Sequence, residues 1–282
     1  MLAKQEKNKV PILMYHSISR YATPKFKLFT VSPELFAEHM AYLYQHAYTP
    51  MTVTQFVKAR AHGASVSSGL PERPVVLTFD DGFGDFFTEA LPVLKQYDFT
   101  ATLYVLTAFI NDTSRWLERE GEATRPMLTW DQLTEISKRG IEIGAHSHSH
   151  RQLDTLLPAM AIEEIVQCKR HLEDHLGREV STFAYPFGYH SATVRRQVRE
   201  AGFISACAVK DEMSSATTDP LALVRLTVSV DTTVDTFAAL LSGVSSAVAT
   251  EMYRRTRTPV WQLAQRRCVS VLRYLQGELL AQ

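Results

Sequence analysis

Two spacings of apolar residues alternate along this chain. Short runs rich in β-branched and aliphatic residues read as strands, and longer stretches with apolar residues three and four apart read as helices. Val10–Tyr15 is the first strand and ends on His16, with Pro11 suited to a strand start. Ser32, Pro33 and Glu34 give a cap, a first-turn proline and a first-turn acid. They open a helix to about His46 with Leu35, Phe36, His39, Met40 and Leu43 on one side. Thr52–Gln55 is a capping box before a short helix, and the Gly-, Ser- and Pro-rich stretch His62–Arg73 reads as a mobile loop. Val75–Phe79 is a buried strand ending in Asp80-Asp81-Gly82. A helix over Gly84–Tyr97 follows, then a strand at Thr100–Leu106. Thr107–Met127 is polar and irregular and reads as an insertion over one end of the sheet. Thr129–Gln132 is a second capping box, and its helix stops at Gly140. Strands at Ile141–Gly144, Ser181–Tyr185, Phe203–Ala206 and Leu223–Val230 alternate with helices at Pro158–Leu176, Ser191–Ala201 and Thr233–Leu241.

This alternation predicts βα units around a mainly parallel sheet or barrel. About seven strands bring the count closer to a barrel than to a flavodoxin-like sheet. The tail departs from the pattern. After Pro259, residues 260–280 carry a helical apolar stripe of Val260, Leu263, Ala264, Val271, Leu272, Leu275 and Leu279, with Arg266, Arg267 and Arg273 outside it. The expected division is a catalytic domain over 1–245 and a helical extension over 246–282. That extension packs on the domain, or forms a dimer or membrane-surface helix; the pattern fixes no oligomeric state.

Composition narrows the function classes. Thirty basic and thirty acidic residues cancel, so no charge field argues for nucleic acid. The three cysteines, Cys168, Cys207 and Cys268, are far apart and form neither a disulfide framework nor a CxxC metal site. No apolar signal core or membrane-length run is visible, so the sequence as it stands reads as cytoplasmic, and a chain truncated of an export signal would read the same.

Chemistry gathers at two places. Ligands in α/β folds collect at the C-terminal ends of strands, where Asp80 and Asp81 lie. Buried there, two carboxylates are costly unless paired; Asp-Asp-Gly is otherwise a common turn. Gly144–His150 holds three histidines, of which His146 and His150 are spaced to converge on one metal. A third ligand is needed, and Asp81 is the best candidate. One Asp and two His with open positions is a catalytic set, suited to zinc and other divalent ions. His148 is then spare, pointing away or supporting its neighbours. Asp80, beside the ion, is a natural general base.

Thr78–Gly82 and His146-Ser147-x-x-His150 resemble the first two motifs of the polysaccharide deacetylase (NodB homology) domain, carbohydrate esterase family four. The resemblance covers roughly Val10–Val230. It implies a distorted (β/α)7 barrel that removes acetyl groups from N-acetylglucosamine units. It implies Asp81, His146 and His150 as ligands of a divalent metal, zinc first with Co, Ni, Mn and Fe as alternatives, and Asp80 as base. The family's third motif is Arg-x-x-Pro-Tyr; here Phe183–Gly188 lacks the arginine. That feature and Met14-Tyr15-His16 are similar to the circularly permuted branch, which includes deacetylases of biofilm poly-β-1,6-N-acetylglucosamine. There the catalytic histidine is N-terminal, which makes His16 the general acid. Tyr185, Pro186 and Phe187 then line the substrate, with the Phe187 N–H on the oxyanion. Arg225 is the expected replacement for the missing arginine, or else part of a surface ion pair. Trp130, Tyr185 and Phe187 stack on sugar rings or belong to the core. No fourth motif, Asp-x-x-Asp-Trp, is visible to orient His16.

The reading is thus a metal-dependent N-deacetylase of an N-acetylated polysaccharide or its precursor, with membrane-surface contact through the tail helix as one of the alternatives for that segment. The alternatives are a C–N hydrolase of a small molecule, such as a cyclic imide or formamide, and a non-catalytic carbohydrate-binding module.

Overall fold

The computed structural model describes residues 9–61, 70–210, 212–215 and 217–243. The expected loop over His62–Arg73 lies largely outside the described residues, and the tail helix lies entirely outside them. Seven parallel strands follow one another around a curled sheet: β1 (Ile12–Tyr15), β2 (Pro74–Phe79), β3 (Thr102–Val105), β4 (Glu142–Ala145), β5 (Thr182–Ala184), β6 (Ser205–Cys207) and β7 (Leu226–Thr227). Their spatial order is β6-β5-β4-β3-β2-β1-β7, and Thr49–Met51 adds an eighth strand beside β2. The two ends of the sheet meet where Cys207 bridges Leu223. Leu223 N donates to Ala206 O (2.9 Å) and Ala208 N to Leu223 O (2.7 Å). The result is the distorted (β/α) barrel.

The helices are α1 (Pro33–Gln45), α2 (Val53–Ala61), α3 (Leu91–Gln96), α4 (Trp130–Lys138), α5 (Pro158–Leu176), α6 (Ala192–Glu200) and α7 (Val234–Leu241). Their starts follow the local chemistry. Ser32 Oγ accepts from Leu35 N at α1, and reciprocal capping boxes open α2 (Thr52 with Gln55) and α4 (Thr129 with Gln132). α5 ends at Gly177, whose φ of 63° suits glycine.

The expected helix over Gly84–Tyr97 is instead a π-helical turn, Phe86–Ala90, running into the short α3. Leu91 N donates to Phe86 O, five residues back. Pro92 follows, and a proline cannot donate to the i−4 carbonyl and crowds it, so the regular ladder is broken there. The expected strand Leu223–Val230 also shortens to the two residues of β7.

Strand parity divides the interior. Leu13, Leu77, Leu103, Ile143, Phe183, Ala206 and Leu226 pack outward with residues of the helices. Ile12, Val76, Tyr104, Ala184, Cys207 and Leu223 pack inward, closed at one end by Val53 and Phe56 of α2. By the two-residue period, His16, Asp80, His146 and Arg225 fall on the inward set.

The lumen is tight at Gly144. A Cβ there would lie 2.5 Å from ring atoms of Tyr104 and 2.9 Å from Thr182 Cγ2. Tyr104 cannot swing away freely, since its hydroxyl is hydrogen-bonded to Thr182 Oγ1 (2.8 Å) and its ring is fully buried. Gly144→Ala should therefore destabilise the fold by about 1–3 kcal/mol through overpacking, measured as a lower midpoint in urea unfolding.

Candidate active site

The C-terminal ends of β1, β2 and β4 bring the inward groups together. Tyr15 pairs with Phe79, and Asp80 N donates to Tyr15 O (3.0 Å), so His16 and Asp80 leave neighbouring strands side by side. His146 continues β4, its N–H donating to Val105 O (3.0 Å). Asp81, Ser147 and His150 adopt left-handed backbone, with φ of 76°, 69° and 62°. Such conformations are strained for residues with a side chain and need support from the surroundings. Ser147 Oγ accepts from His150 N (3.1 Å), tightening that loop.

Asp81 Oδ1 lies 3.3 Å from His146 Nε2 and 3.4 Å from His150 Nε2. One donor atom from each of these residues falls within 4.8 Å of the others. His146 Nδ1 lies 2.8 Å from Ala184 O, so that nitrogen must carry the proton and Nε2 presents a lone pair. Asp81 Oδ1 is buried with no hydrogen-bond partner among the described residues. A buried acceptor facing the His146 lone pair, with His150 Nε2 at 3.4 Å, is unfavourable unless a cation completes it, so the residues present fit a divalent ion. Burial works against charge on Asp81, yet His150, His146 and His16 hold its carboxyl well below the usual range. Burial lowers the His150 pKa to about 4, which keeps the ring neutral as a ligand must be. Burial also opposes charge on His146, but Asp80 and Asp81 raise its pKa overall.

Asp80 is held separately. Arg225, fully buried, grips it in a bidentate pair, Nη1 to Oδ1 at 2.6 Å and Nη2 to Oδ2 at 2.7 Å. The side chain runs up the lumen, donating to Ala208 O (3.2 Å) and Thr78 Oγ1 (3.2 Å) over the Tyr104 ring. Arg225 is therefore a barrel residue and not a surface one. Burial alone would raise the Asp80 pKa; Arg225 chiefly reverses this and lowers it. His16 Nδ1 is enclosed without a partner among the described residues, and its ring meets Phe29 edge-on at 5.1 Å. Burial lowers its pKa, against the pull of Asp81 and Asp80.

The aromatic expectations divide. Phe187 is 46% exposed, has φ of 59°, and sets its ring 4.6 Å from that of His150. Pro186 is buried in the same turn. Tyr185 is not on the substrate side: it is fully buried, its hydroxyl donating to Leu221 O (2.9 Å). It follows the inward Ala184, so parity turns it outward into the helical layer. Trp130 is also misplaced as a sugar platform, because it heads α4 and stacks on His175 at 3.7 Å. His148 stands aside, its Nδ1 2.8 Å from Thr107 Oγ1.

Several residues of the site had not been singled out. Glu164 on α5 accepts from Ser149 N (2.8 Å) and Ser149 Oγ (2.5 Å), bracing the loop that carries His150. Its signal is an acid on the buried face with Ala161, Ile165, Cys168 and Leu172. Trp116, from the insertion, lies 5.9 Å from the His150 ring and stacks on Phe83. Asp85 and Arg125 sit behind His16. The insertion itself is pinned over the acidic turn by Leu128 N to Gly82 O (3.0 Å) and Gly84 N to Pro126 O (2.8 Å).

Comparison with known proteins gives the same reading. Residues 67–206 match the polysaccharide deacetylase family model. A protein of Bacillus subtilis (strain 168), named provisionally as a polysaccharide deacetylase, is 26% identical over 84% of this chain and 77% of its own length. The poly-β-1,6-N-acetyl-D-glucosamine N-deacetylase of Staphylococcus aureus (strain MRSA252) is 21% identical, covering 81% of each chain. The Streptococcus pyogenes deacetylase PplD, solved in complex with acetate, superposes with a TM-score of 0.71 at 26% identity, over 83% of this chain and 98% of that one. The matched motifs sit in the barrel, and residues 67–206 of the chain belong to the polysaccharide deacetylase family, hydrolases acting on amide bonds.

Proposed function

We propose that this chain removes acetyl groups from N-acetylated amino sugars of a polysaccharide or its precursor. Asp81, His146 and His150 hold a divalent cation, with zinc the first choice for a set of two imidazoles and one carboxylate. The observation that carries this reading is the buried, unpartnered Asp81 Oδ1 between the two imidazole nitrogens. When bound, such a cation supplies Lewis-acid polarisation of the acetamide carbonyl and acidifies an attacking water.

The protein groups do the rest. Asp80 takes the proton of the water as its oxygen adds to the carbonyl carbon. Arg225 keeps that carboxylate ionised and fixed in direction. The N–H of Phe187 donates to the oxygen where negative charge develops. His16 delivers a proton to the nitrogen as the C–N bond breaks, releasing free amine and acetate. Because burial lowers the His16 pKa, the donating imidazolium is the minority form at neutral pH, and turnover should fall as pH rises. Phe187, exposed beside His150, gives the sugar ring an apolar face to rest on, and supports a polymeric substrate over an enclosed small molecule. A base held by a dedicated buried arginine, beside the ligand set, supports catalysis over a binding module.

Acetate release from a panel of N-acetylated oligosaccharides, with and without chelator, tests the reading. Asp80→Asn should lower kcat by about 100-fold or more while bound metal is unchanged; near-normal turnover in that variant would refute the assignment. Glu164→Ala should weaken metal binding about 10- to 100-fold in chelator competition, by releasing Ser149 and the His150 loop. Arg225→Met should destabilise the protein by about 3–5 kcal/mol at pH 7, since it leaves Asp80 buried and unpaired. The depressed Asp80 pKa means that the pair stabilises fully above the unfolded value of 3.8 and loses its effect as pH falls through the lower folded value. In the variant the unpaired carboxylate protonates readily, so the deficit seen in urea unfolding should shrink as pH is lowered.

A further inference from the structure

We infer that Asp85, acting through Ser17 and together with Arg125, is the positioning residue for His16. The inference rests on the assignment of His16 as the proton donor.

His16 needs such a device because its own ring lacks one. Its Nδ1 is enclosed with no partner among the described residues, so none of them fixes the imidazole through that nitrogen. The aim of the ring depends on the backbone around it and on the Phe29 edge. On one side that backbone is fixed by Asp80 N to Tyr15 O. On the other side it is fixed by the parallel pairing of Ser17–Ile18 with Thr30–Val31 and, from the side chains, by Asp85. Ser17 Oγ donates to Asp85 Oδ2 (2.6 Å), and Ile18 N donates to Asp85 Oδ1 (3.2 Å). The two residues after the proposed acid are thereby tied to the fourth residue after the proposed metal ligand Asp81.

Arg125 completes the tie from the insertion. Its Nη1 donates to Ser17 Oγ (2.9 Å) and approaches Asp85 Oδ2 (3.3 Å). Its Nη2 donates to Tyr21 O (2.9 Å) and Glu122 Oε2 (3.0 Å), and its guanidinium lies over Phe26 and Phe83. The Asp85 and Arg125 side chains are only 13% and 10% exposed. Burial pushes the Asp85 carboxyl up to about 6, so it remains ionised at neutral pH and able to accept from every donor around it. Three segments that are distant in sequence, 16–18, 81–85 and 122–125, meet at this one carboxylate. Its role is to set the distance between the proton donor and the turn that carries Asp81.

The test separates proton donation from the rest of the reaction by changing the leaving group. An N-acetylglucosamine oligosaccharide loses an amine, which must be protonated as it departs. An aryl acetate ester loses a phenolate, which need not be. Metal-loaded Asp85→Ala should lose about 10- to 100-fold in kcat on the oligosaccharide, with KM and metal content within about twofold. Its acetate release from the aryl ester should change by less than about threefold. Asp85→Asn, which keeps one acceptor oxygen, should recover part of the loss. Ser17→Ala should show the same amide-only pattern in weaker form, and it decides the matter if Asp85→Ala does not fold. Equal losses on both substrates, loss of metal, or an unchanged amide rate would overturn the inference. His16→Ala is the reference. If it deacetylates the oligosaccharide at the normal rate, the His16 assignment itself falls. If it shows the amide-only loss and the Asp85 and Ser17 variants do not, only the positioning role falls.

Discussion

Asp80 and Asp81 are adjacent, both nearly inaccessible, and both held as carboxylates. Burying even one such charge carries a penalty of several kcal/mol unless it is matched. The structure matches them by two different means. Asp80 has a permanent partner, since an arginine in the lumen takes both of its oxygens. Asp81 faces only two imidazole edges, which are poor partners when neutral. One carboxylate is therefore satisfied by the fold and the other is left open for a cation. That difference supports the proposed roles, Asp80 as base and Asp81 as ligand, more than position does. A base must keep its direction through a reaction, and a bidentate guanidinium fixes direction. A metal ligand must present a free lone pair, and Asp81 Oδ1 does.

The barrel makes this arrangement possible by parity and by strand order. Each strand sends every second side chain inward, and His16, Asp80 and His146 continue the inward set one residue past the ends of β1, β2 and β4. The first strand of the chain lies between the second and the last, so His16 enters beside Asp80, and Arg225 rises from the strand on the far side of it. Closure at Leu223 brings Arg225 under Ala208, whose carbonyl takes its Nε. Strand β1 thus delivers His16 to the proposed site, although the matched family region starts only at residue 67.

Much of this was legible in the sequence because it depends on local rules. Capping residues placed the starts of α1, α2 and α4, and the acidic strand end and the paired histidines marked the site before any fold was known. What failed depended on facing direction or on distant partners. Tyr185 belongs to a motif beside the site, yet one step of strand parity turns it away. Trp130 opens a helix near the insertion, and nothing local told that His175 would cover it. Asp85 and Glu164 look like ordinary acids in a sequence. Their roles come from residues 67 and 15 positions away, for which periodicity carries no signal. Arg225 lies between: an arginine among apolar strand residues is a visible anomaly, but its partner sits 145 residues away.

The site also divides its rigidity between two sources. Two of the proposed ligands are held by the backbone itself: Asp81 and His150, with Ser147 between the histidines, sit in left-handed conformations that cost on the order of 1–3 kcal/mol each. Such strain persists only where neighbours overdetermine the turn, and here Gly82 O, Ser147 Oγ and Glu164 do so. The proposed donor, His16, is not among the left-handed residues and has no partner at Nδ1 among the described residues. Its placement must come from outside, through segments that fold against it. A metal site with rigid ligands tolerates little displacement, whereas a proton donor must approach a nitrogen that moves as its bond breaks. Holding the first by strained backbone and the second by side-chain ties allows each group the freedom that its task requires.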